Sequence, residues 1–212
     1  MKLEMDDKRL SGKLITFCGL DGCGKTTQIK LLCDWLSSKG FDIYLTKQPT
    51  DFVRNSQIFR TYTDSEEKGA YDYRALSVFC ASDRLQHNFG VITSKLKEGK
   101  TVISDRYFYS CLVNLWARGY KTDTWIYEIA KYIYKPDLSF FLDVPVNRAI
   151  DRVRARQSEK DRYIDISLQY KLRDSYLKIA NENNGIIIST ETDELSSFKK
   201  IQDIVKSAIL KG

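Results

Sequence analysis

Short, nearly uninterrupted apolar runs alternate along this chain with stretches whose apolar residues recur every three or four positions. Leu14-Ile15-Thr16-Phe17-Cys18 is the first apolar run, and Gln28-Ile29-Lys30-Leu31-Leu32-Cys33-Asp34-Trp35-Leu36 the first helical stretch. Gly40 closes that helix, and Asp42-Ile43-Tyr44-Leu45-Thr46 reads as a second strand. A long helix is predicted over 72–98, with Ala75, Val78, Ser82, Leu85, Phe89, Ile92 and Leu96 as one buried face and Gly99 as its stop. Three more strands follow, Thr101-Val102-Ile103-Ser104, Asp137-Leu138-Ser139-Phe140-Phe141-Leu142 and Gly185-Ile186-Ile187-Ile188-Ser189, then a last helix near 194–210. Strands this short and apolar are buried on both faces, so the alternation predicts an α/β fold with a mostly parallel sheet covered by helices on either side. No linker, repeat or low-complexity tract divides the 212 residues, and a single domain over 1–212 is expected.

Composition narrows the partners. A hydrophobic share of 42% and a charged share of 29% are those of an ordinary globular chain. The net charge of +6 is modest and dispersed. A site for several phosphates accounts for such a bias, so no polymeric nucleic acid is expected as partner. Apolar runs are too short to span a bilayer, and Met1 to Lys13 is polar without an apolar leader segment, so no membrane partner is expected. The cysteines (Cys18, Cys23, Cys33, Cys80, Cys111) are scattered and form no C-x-x-C pair, which points to free thiols and a cytoplasmic location rather than to disulfides or zinc.

The chemistry concentrates after the first strand. Gly19-Leu20-Asp21-Gly22-Cys23-Gly24-Lys25-Thr26-Thr27 fits the Walker A spacing and sits between a strand and a helix, where that spacing works. Glycines let the backbone turn so that successive N–H groups converge on one anion at a helix N-terminus. Residues 19–27 are thus the candidate triphosphate cradle, with Lys25 reaching the β/γ-phosphates and the Thr26 hydroxyl holding Mg²⁺. Ligands of a parallel sheet collect beyond the strand C-termini, so the other strand ends matter too. The third strand ends in Asp105-Arg106-Tyr107. Asp105 suits a Mg²⁺–water holder, and Arg106, where a motor ATPase commonly carries a second acid, suits transfer of a phosphoryl group to an acceptor. Read alone, the pair is also compatible with a structural ion pair.

On the long helix, Cys80, Asp83, Arg84 and His87 lie off the predicted apolar face and within reach of the same crevice, while His87, the only histidine, is read as a surface or interface residue. After Asp143-Val144-Pro145 comes a helix with Val146, Ala149, Ile150 and Val153 as its buried stripe, Arg148, Arg152 and Arg156 on one flank and Arg154 on the other. A basic helix running into the polar Gln157-Ser158-Glu159-Lys160-Asp161-Arg162-Tyr163 is what a closing lid over phosphates requires, and a lid is expected at about 152–164.

Residues 19–27, Ala81-Ser82-Asp83-Arg84-Leu85-Gln86-His87, Ser104-Asp105-Arg106-Tyr107 and Lys135-Pro136-Asp137-Leu138-Ser139-Phe140-Phe141-Leu142-Asp143-Val144 together resemble, in order, the motifs of the thymidylate kinase family of P-loop nucleoside monophosphate kinases. The resemblance implies a three-layer P-loop kinase fold with a five-stranded parallel sheet and a short lid. It implies transfer of the ATP γ-phosphoryl group to dTMP with Mg²⁺, and a homodimer. Carried over by position, Lys25 and Arg106 stabilise the migrating group, Asp21 approaches the acceptor or its metal shell, and Arg84 bonds the nucleobase edge. Cys23 stands where some family members carry a loop arginine, so the lid must supply the charge, through Arg152, Arg156 and Arg162, with Arg154 in reserve.

The departures from the family fall in the acceptor pocket. Lys47-Gln48-Pro49-Thr50 stands where Arg-Glu-Pro-Gly is common, which removes an arginine fork and a carboxylate. Cys80 occupies the position of the phenylalanine that stacks on thymine, with Phe79 one step off, and Asn114 stands near the place of a tyrosine expected to crowd a ribose 2′-OH. Gln48, Pro49, Phe79, Cys80, Arg84, Arg106 and Asn114 are therefore the candidate acceptor-binding residues. The leading expectation is a nucleoside monophosphate kinase with dTMP as first acceptor. The alternatives are a kinase for another pyrimidine nucleotide or a deoxynucleoside, and a non-catalytic nucleotide-binding switch.

Overall fold

The computed structural model describes residues 2–64, 71–160 and 163–210, the side chains of Asp64 and Leu210 excepted. In chain order the elements are β1 (Lys13–Cys18), α1 (Lys25–Ser38), β2 (Ile43–Lys47), α2 (Asp51–Arg54), α3 (Gln57–Asp64), α4 (Tyr73–His87), α5 (Thr93–Lys97), β3 (Thr101–Asp105) and α6 (Tyr109–Ala117). Then follow α7 (Trp125–Ala130), β4 (Leu138–Asp143), α8 (Val146–Arg154), α9 (Ile166–Glu182), β5 (Ile186–Ser189) and α10 (Glu194–Val205).

β1 is buried from Leu14 onward because it is the central strand, and its two faces are both covered. It pairs with β3 on one side and β4 on the other, in the order β2-β3-β1-β4-β5, and every pairing is parallel. Helices α1 and α10 pack together as one layer, and α4, α6 and α9 as another, which gives the expected three layers. The core between sheet and helices is aromatic: Phe17 stacks on Phe140 with ring centroids 5.2 Å apart, and Tyr109 meets Phe141 edge-on at 5.3 Å. The one buried polar rung on β1, Thr16, donates to Ser139 Oγ at 3.1 Å, so its hydroxyl is satisfied.

The register positions the chemistry. Asp105 stands opposite both Phe17 and Lys47, so the C-terminal ends of β1, β2 and β3 form one ledge. Gly19, Gln48 and Arg106, each one residue beyond a strand, line up along it.

The long helix expected over 72–98 is three pieces: α4, a π-helical turn at Asn88–Ile92, and α5. The turn has a reason, since Asn88 is buried, donates to the Tyr107 hydroxyl at 2.5 Å and accepts from the Tyr134 N–H at 3.1 Å. The face assigned to this helix is corrected as well. Tyr73, Leu76, Ser77, Ala81, Arg84 and His87 point inward, whereas Ala75, Val78 and Ser82 are exposed and Phe89 is 79% exposed. Ile92 and Leu96 are fully buried and Leu85 packs partly against the core, as expected. Along α4, however, polar side chains point inward because they line a cavity or bond to the sheet edge, and the face that hydrophobic spacing selects is displaced there.

Candidate active site

The phosphate-loop turn is dictated by sterics. Gly19, Gly22 and Gly24 have φ of 142°, 82° and 90°. A Cβ on Gly22 would stand 2.1 Å from Ala149 O, and one on Gly19 would stand 2.5 Å from Leu142 O, so neither position admits another residue. Gly24 caps α1 without a side chain, leaving the first-turn N–H groups and the positive end of the helix to an anion. Leu20 and Cys23 are buried supports of the turn, while Thr26 is exposed and Thr27 half-buried in that first turn. The Lys25 ammonium, itself buried, folds back on Leu20 O at 2.7 Å and Gly19 O at 3.2 Å. It is held by carbonyls, which leaves its charge available to phosphate.

Asp105 lies at the end of β3 beside this loop, and its Oδ1 is buried without a hydrogen-bond partner among the described residues. A carboxylate oxygen in that state calls for a donor, and the water shell of Mg²⁺ supplies one. Asp105 and the Thr26 hydroxyl therefore fit a magnesium site. Arg106 is the most tightly fixed cation of the site. Its Nη1 donates to Gly19 O at 2.9 Å and to the Tyr176 hydroxyl at 2.7 Å, and its Nη2 meets Asp21 Oδ1 at 2.6 Å. Its backbone adopts φ 68°, an uncommon conformation for a bulky residue. The Ser104 hydroxyl, bonded to Arg106 O at 2.6 Å, and the Phe17 carbonyl, 2.8 Å from the Arg106 N–H, hold it there.

Against the loop opens a cavity of about 390 Å³ whose wall includes Gly19, Leu20, Asp21 and Arg106. Basic side chains outnumber carboxylates along it. Near the ledge, burial and the positive charge of Arg54 hold the Lys47 pKa below its usual range, and burial and Arg106 do the same to Arg54. Cations packed so closely that they weaken one another make a site for an anion. The Arg54 guanidinium is aimed by carbonyls, Nε donating to Pro49 O at 2.7 Å and Nη2 to Gln48 O at 3.2 Å. Farther in, Arg84 is buried and donates through Nη1 to Cys80 O at 3.0 Å, while its buried Nε has no partner among the described residues.

Of the acceptor residues expected from sequence, the structure brings Pro49, Cys80, Arg84, Arg106 and Asn114 to this cavity. Two stand elsewhere. Phe79 is turned around the helix from Cys80 and packs edge-on against Phe52, ring centroids 5.6 Å apart. Gln48 is fully buried, and its carboxamide nitrogen donates to His87 Nδ1 at 3.0 Å. His87 is correspondingly inside, not on the surface, with Nε2 at 3.0 Å from the Thr46 hydroxyl.

His87 makes a pH test available. Burial pushes its pKa below the ordinary range, with Asp83 opposing and Arg84 assisting. A base with a lowered native pKa takes up its proton more readily in the unfolded chain. The stability tied to it is therefore complete above about pH 6.5 and is lost as pH falls toward the native pKa. The melting temperature is expected to fall between about pH 7.5 and 5.5, and to fall less in His87→Gln. Equal falls in both proteins would contradict this.

Among the lid candidates, Arg156 reaches the cavity wall. Arg152 does not: it lies on the outer flank of the phosphate loop, donating to Thr190 O at 2.9 Å and Gly22 O at 3.5 Å. Arg154 is exposed, and Arg162 lies outside the described residues. Two contributors carry no signal in the sequence pattern. Arg54 sits in the four-residue α2, too short to show a period. Tyr176, the partner of Arg106, sits on α9 with Leu172 and Ile179 on its buried face, and nothing in that apolar face marks the hydroxyl's role.

A phosphate loop with a second, basic cavity set directly against it suits an enzyme that moves a phosphoryl group between two bound molecules, as P-loop nucleotide kinases do. The family model described as "Thymidylate kinase" matches residues 17–201, and the chain belongs to that family: it is a nucleoside monophosphate kinase. Curated relatives agree. A "Probable thymidylate kinase" of Thermococcus kodakarensis is 40% identical over 169 residues, covering 76% of this chain and 81% of that protein. Another from Thermococcus gammatolerans is 34% identical over 207 residues, covering 95% and 99%. The crystal structure of thymidylate kinase from Ehrlichia chaffeensis superimposes with a TM-score of 0.70 at 24% identity, covering 92% of this chain and 98% of that one, which supports the fold.

Proposed function

We propose that this enzyme transfers the γ-phosphoryl group of ATP to dTMP, giving dTDP and ADP. The observation that carries the reading is the cavity itself: Lys47, Arg54 and Arg106 crowd its end beside Gly19, and the unsatisfied Arg84 lies farther in. That order of groups suits a nucleoside monophosphate with its phosphate toward the loop and its base away from it. Residues 19–27 hold the donor triphosphate through backbone N–H groups, and Lys25 leaves its two carbonyls to pair with the terminal phosphates. Arg54 and Lys47 orient the acceptor phosphate. Arg106, fixed on three sides, donates to the oxygens of the group in flight, and Arg156 and Arg162 are the arginines that supply further charge to it. Asp21 stays beside Arg106 at the rim of the acceptor site. Thr26 and Asp105 would hold magnesium ion, which would neutralise charge on the phosphates.

A coupled ADP-release assay across dTMP, dUMP, UMP, CMP, dGMP and dAMP tests this. Turnover is expected to be fastest with dTMP. Turnover of thymidine without turnover of dTMP would contradict it.

The exposed apolar residues of α4 and of the π-helical turn that follows it, with Val78 47% and Phe89 79% exposed, support a homodimer packed through this segment. Charging that face in Val78→Asp/Phe89→Asp is expected to give monomers by light scattering where the parent is a dimer. A parent already monomeric at micromolar concentration would refute the assignment. All five cysteines are free thiols, which fits a cytoplasmic enzyme.

A further inference from the structure

The far end of the cavity carries polar groups that binding a phosphate does not use. The Arg118 guanidinium lies 4.1 Å over the Tyr73 ring, and its Nη1 donates to Asn114 Oδ1 at 2.7 Å and Asn114 O at 3.3 Å. Its Nε and Nη2 have no hydrogen-bond partner among the described residues, and the side chain lines the cavity. Arg118 is thus fixed on one face and one edge while the rest of its donors stay available. Ser77, on the same wall, is 2% exposed, and its buried Oγ has no partner among the described residues. Arg84, two turns along α4 from Ser77, reaches back one turn to Cys80 O, which brings its guanidinium toward Ser77. The Tyr73 side chain ties the group together, since its electrostatic neighbours include Arg118, Cys80, Cys111 and Arg84.

We infer that Arg84, Ser77 and Arg118 form a three-point reader of the base edge, selecting a 2,4-dioxopyrimidine over cytosine. This rests on the acceptor being a nucleoside monophosphate with its base at Arg84, and it adds the residues that choose the base. Uracil and thymine present acceptor, donor, acceptor across O2, N3–H and O4. Two guanidinium groups and a hydroxyl lining the same cavity supply the complement, the hydroxyl accepting from N3–H and each arginine donating to a carbonyl. Cytosine presents an amino group in place of one carbonyl, which sets donor against donor and leaves a buried guanidinium N–H unpaired.

The surroundings reinforce that choice by removing acceptors. Arginine has only donors, so the Asn114 atom it touches is the carboxamide oxygen, and that oxygen accepts one bond from a cation that repels a second N–H donor. The Asn114 nitrogen is spent on Ser110 O at 2.8 Å. Burial pushes the Cys111 thiol up to about 12 and raises Cys80 as well, so neither offers a thiolate at neutral pH. Arg118 therefore acts twice, donating to the base and masking the acceptor that a cytosine amino group would otherwise find.

The test uses the full-length enzyme with dTMP and dCMP, reading kcat/KM for each and the KM for ATP. The parent is expected to prefer dTMP. Arg118→Met is expected to lower kcat/KM for dTMP about 10–100-fold, the loss of a charged hydrogen bond. It is expected to raise kcat/KM for dCMP as Asn114 Oδ1 is released, leaving the KM for ATP unchanged. Ser77→Ala is expected to lower the dTMP-to-dCMP ratio by about 3–10-fold. A ratio unmoved in Arg118→Met, even with activity reduced, overturns the reader, because a structural residue would lower both substrates together. Should Arg118→Met fail to fold, Ser77→Ala decides alone, and an unchanged ratio there overturns the inference. A parent that turns over no pyrimidine monophosphate overturns the kinase reading beneath it, whereas an active parent with fixed ratios overturns only the reader.

Discussion

Lys25→Met is expected to reduce kcat at saturating dTMP and ATP by about 100–1,000-fold, the cost of deleting one preorganised donor at a developing charge. Methionine is the informative replacement because it keeps the length of a side chain that is buried among Gly19, Leu20 and Cys23. What it removes is the ammonium. In the ligand-free state that group contributes two bonds to loop carbonyls, so a modest fall in melting temperature accompanies the loss of turnover. Circular dichroism separates the two: a folded variant with kcat within tenfold of the parent would show that Lys25 does not act on the phosphoryl group.

Arg106→Ala is the second large effect, with kcat expected to fall by about 100–1,000-fold on the same grounds. The residue's backbone makes a paired experiment possible. A φ of 68° suits glycine and strains every residue with a Cβ. Arg106→Gly and Arg106→Ala both lack the guanidinium and should be equally inactive, yet the glycine variant should be more stable by roughly 1 kcal/mol. Denaturant unfolding measures that difference. An alanine variant as stable as the glycine one would mean that the backbone at Arg106 is not strained. Tyr176 and Asp21 lose a partner in both variants, so their contribution cancels from the comparison.

The five strands were legible to within one residue at either end because each is short and largely apolar, and few arrangements besides a buried parallel strand produce that pattern. The glycine turn was equally legible, since its spacing encodes backbone sterics directly. The inward face of α4 was not. His87 faces inward because the end of β2 is opposite it, and Arg84 and Ser77 because they line the cavity, and spacing of apolar residues cannot register such surroundings. Helix α6 was missed for the opposite reason, being buried on nearly every side, so that its sequence shows no period. Gln48 was assigned to the acceptor by position in a motif and Phe79 as the aromatic one step from such a position, but one residue around a strand end or helix turns a side chain to another surface. Arg54 and Arg118 lie outside any motif, and only the cavity wall identifies them.

The central claim is that donor and acceptor phosphates meet end to end over the glycine turn, with Arg106 between them. A crystal structure of the enzyme with a non-hydrolysable ATP analogue and dTMP measures this directly. The terminal phosphorus of the donor is expected about 3–3.5 Å from a phosphate oxygen of dTMP, with the Arg106 guanidinium in contact with both. A terminal phosphorus remote from Arg106, with dTMP absent from the adjoining cavity, would contradict it.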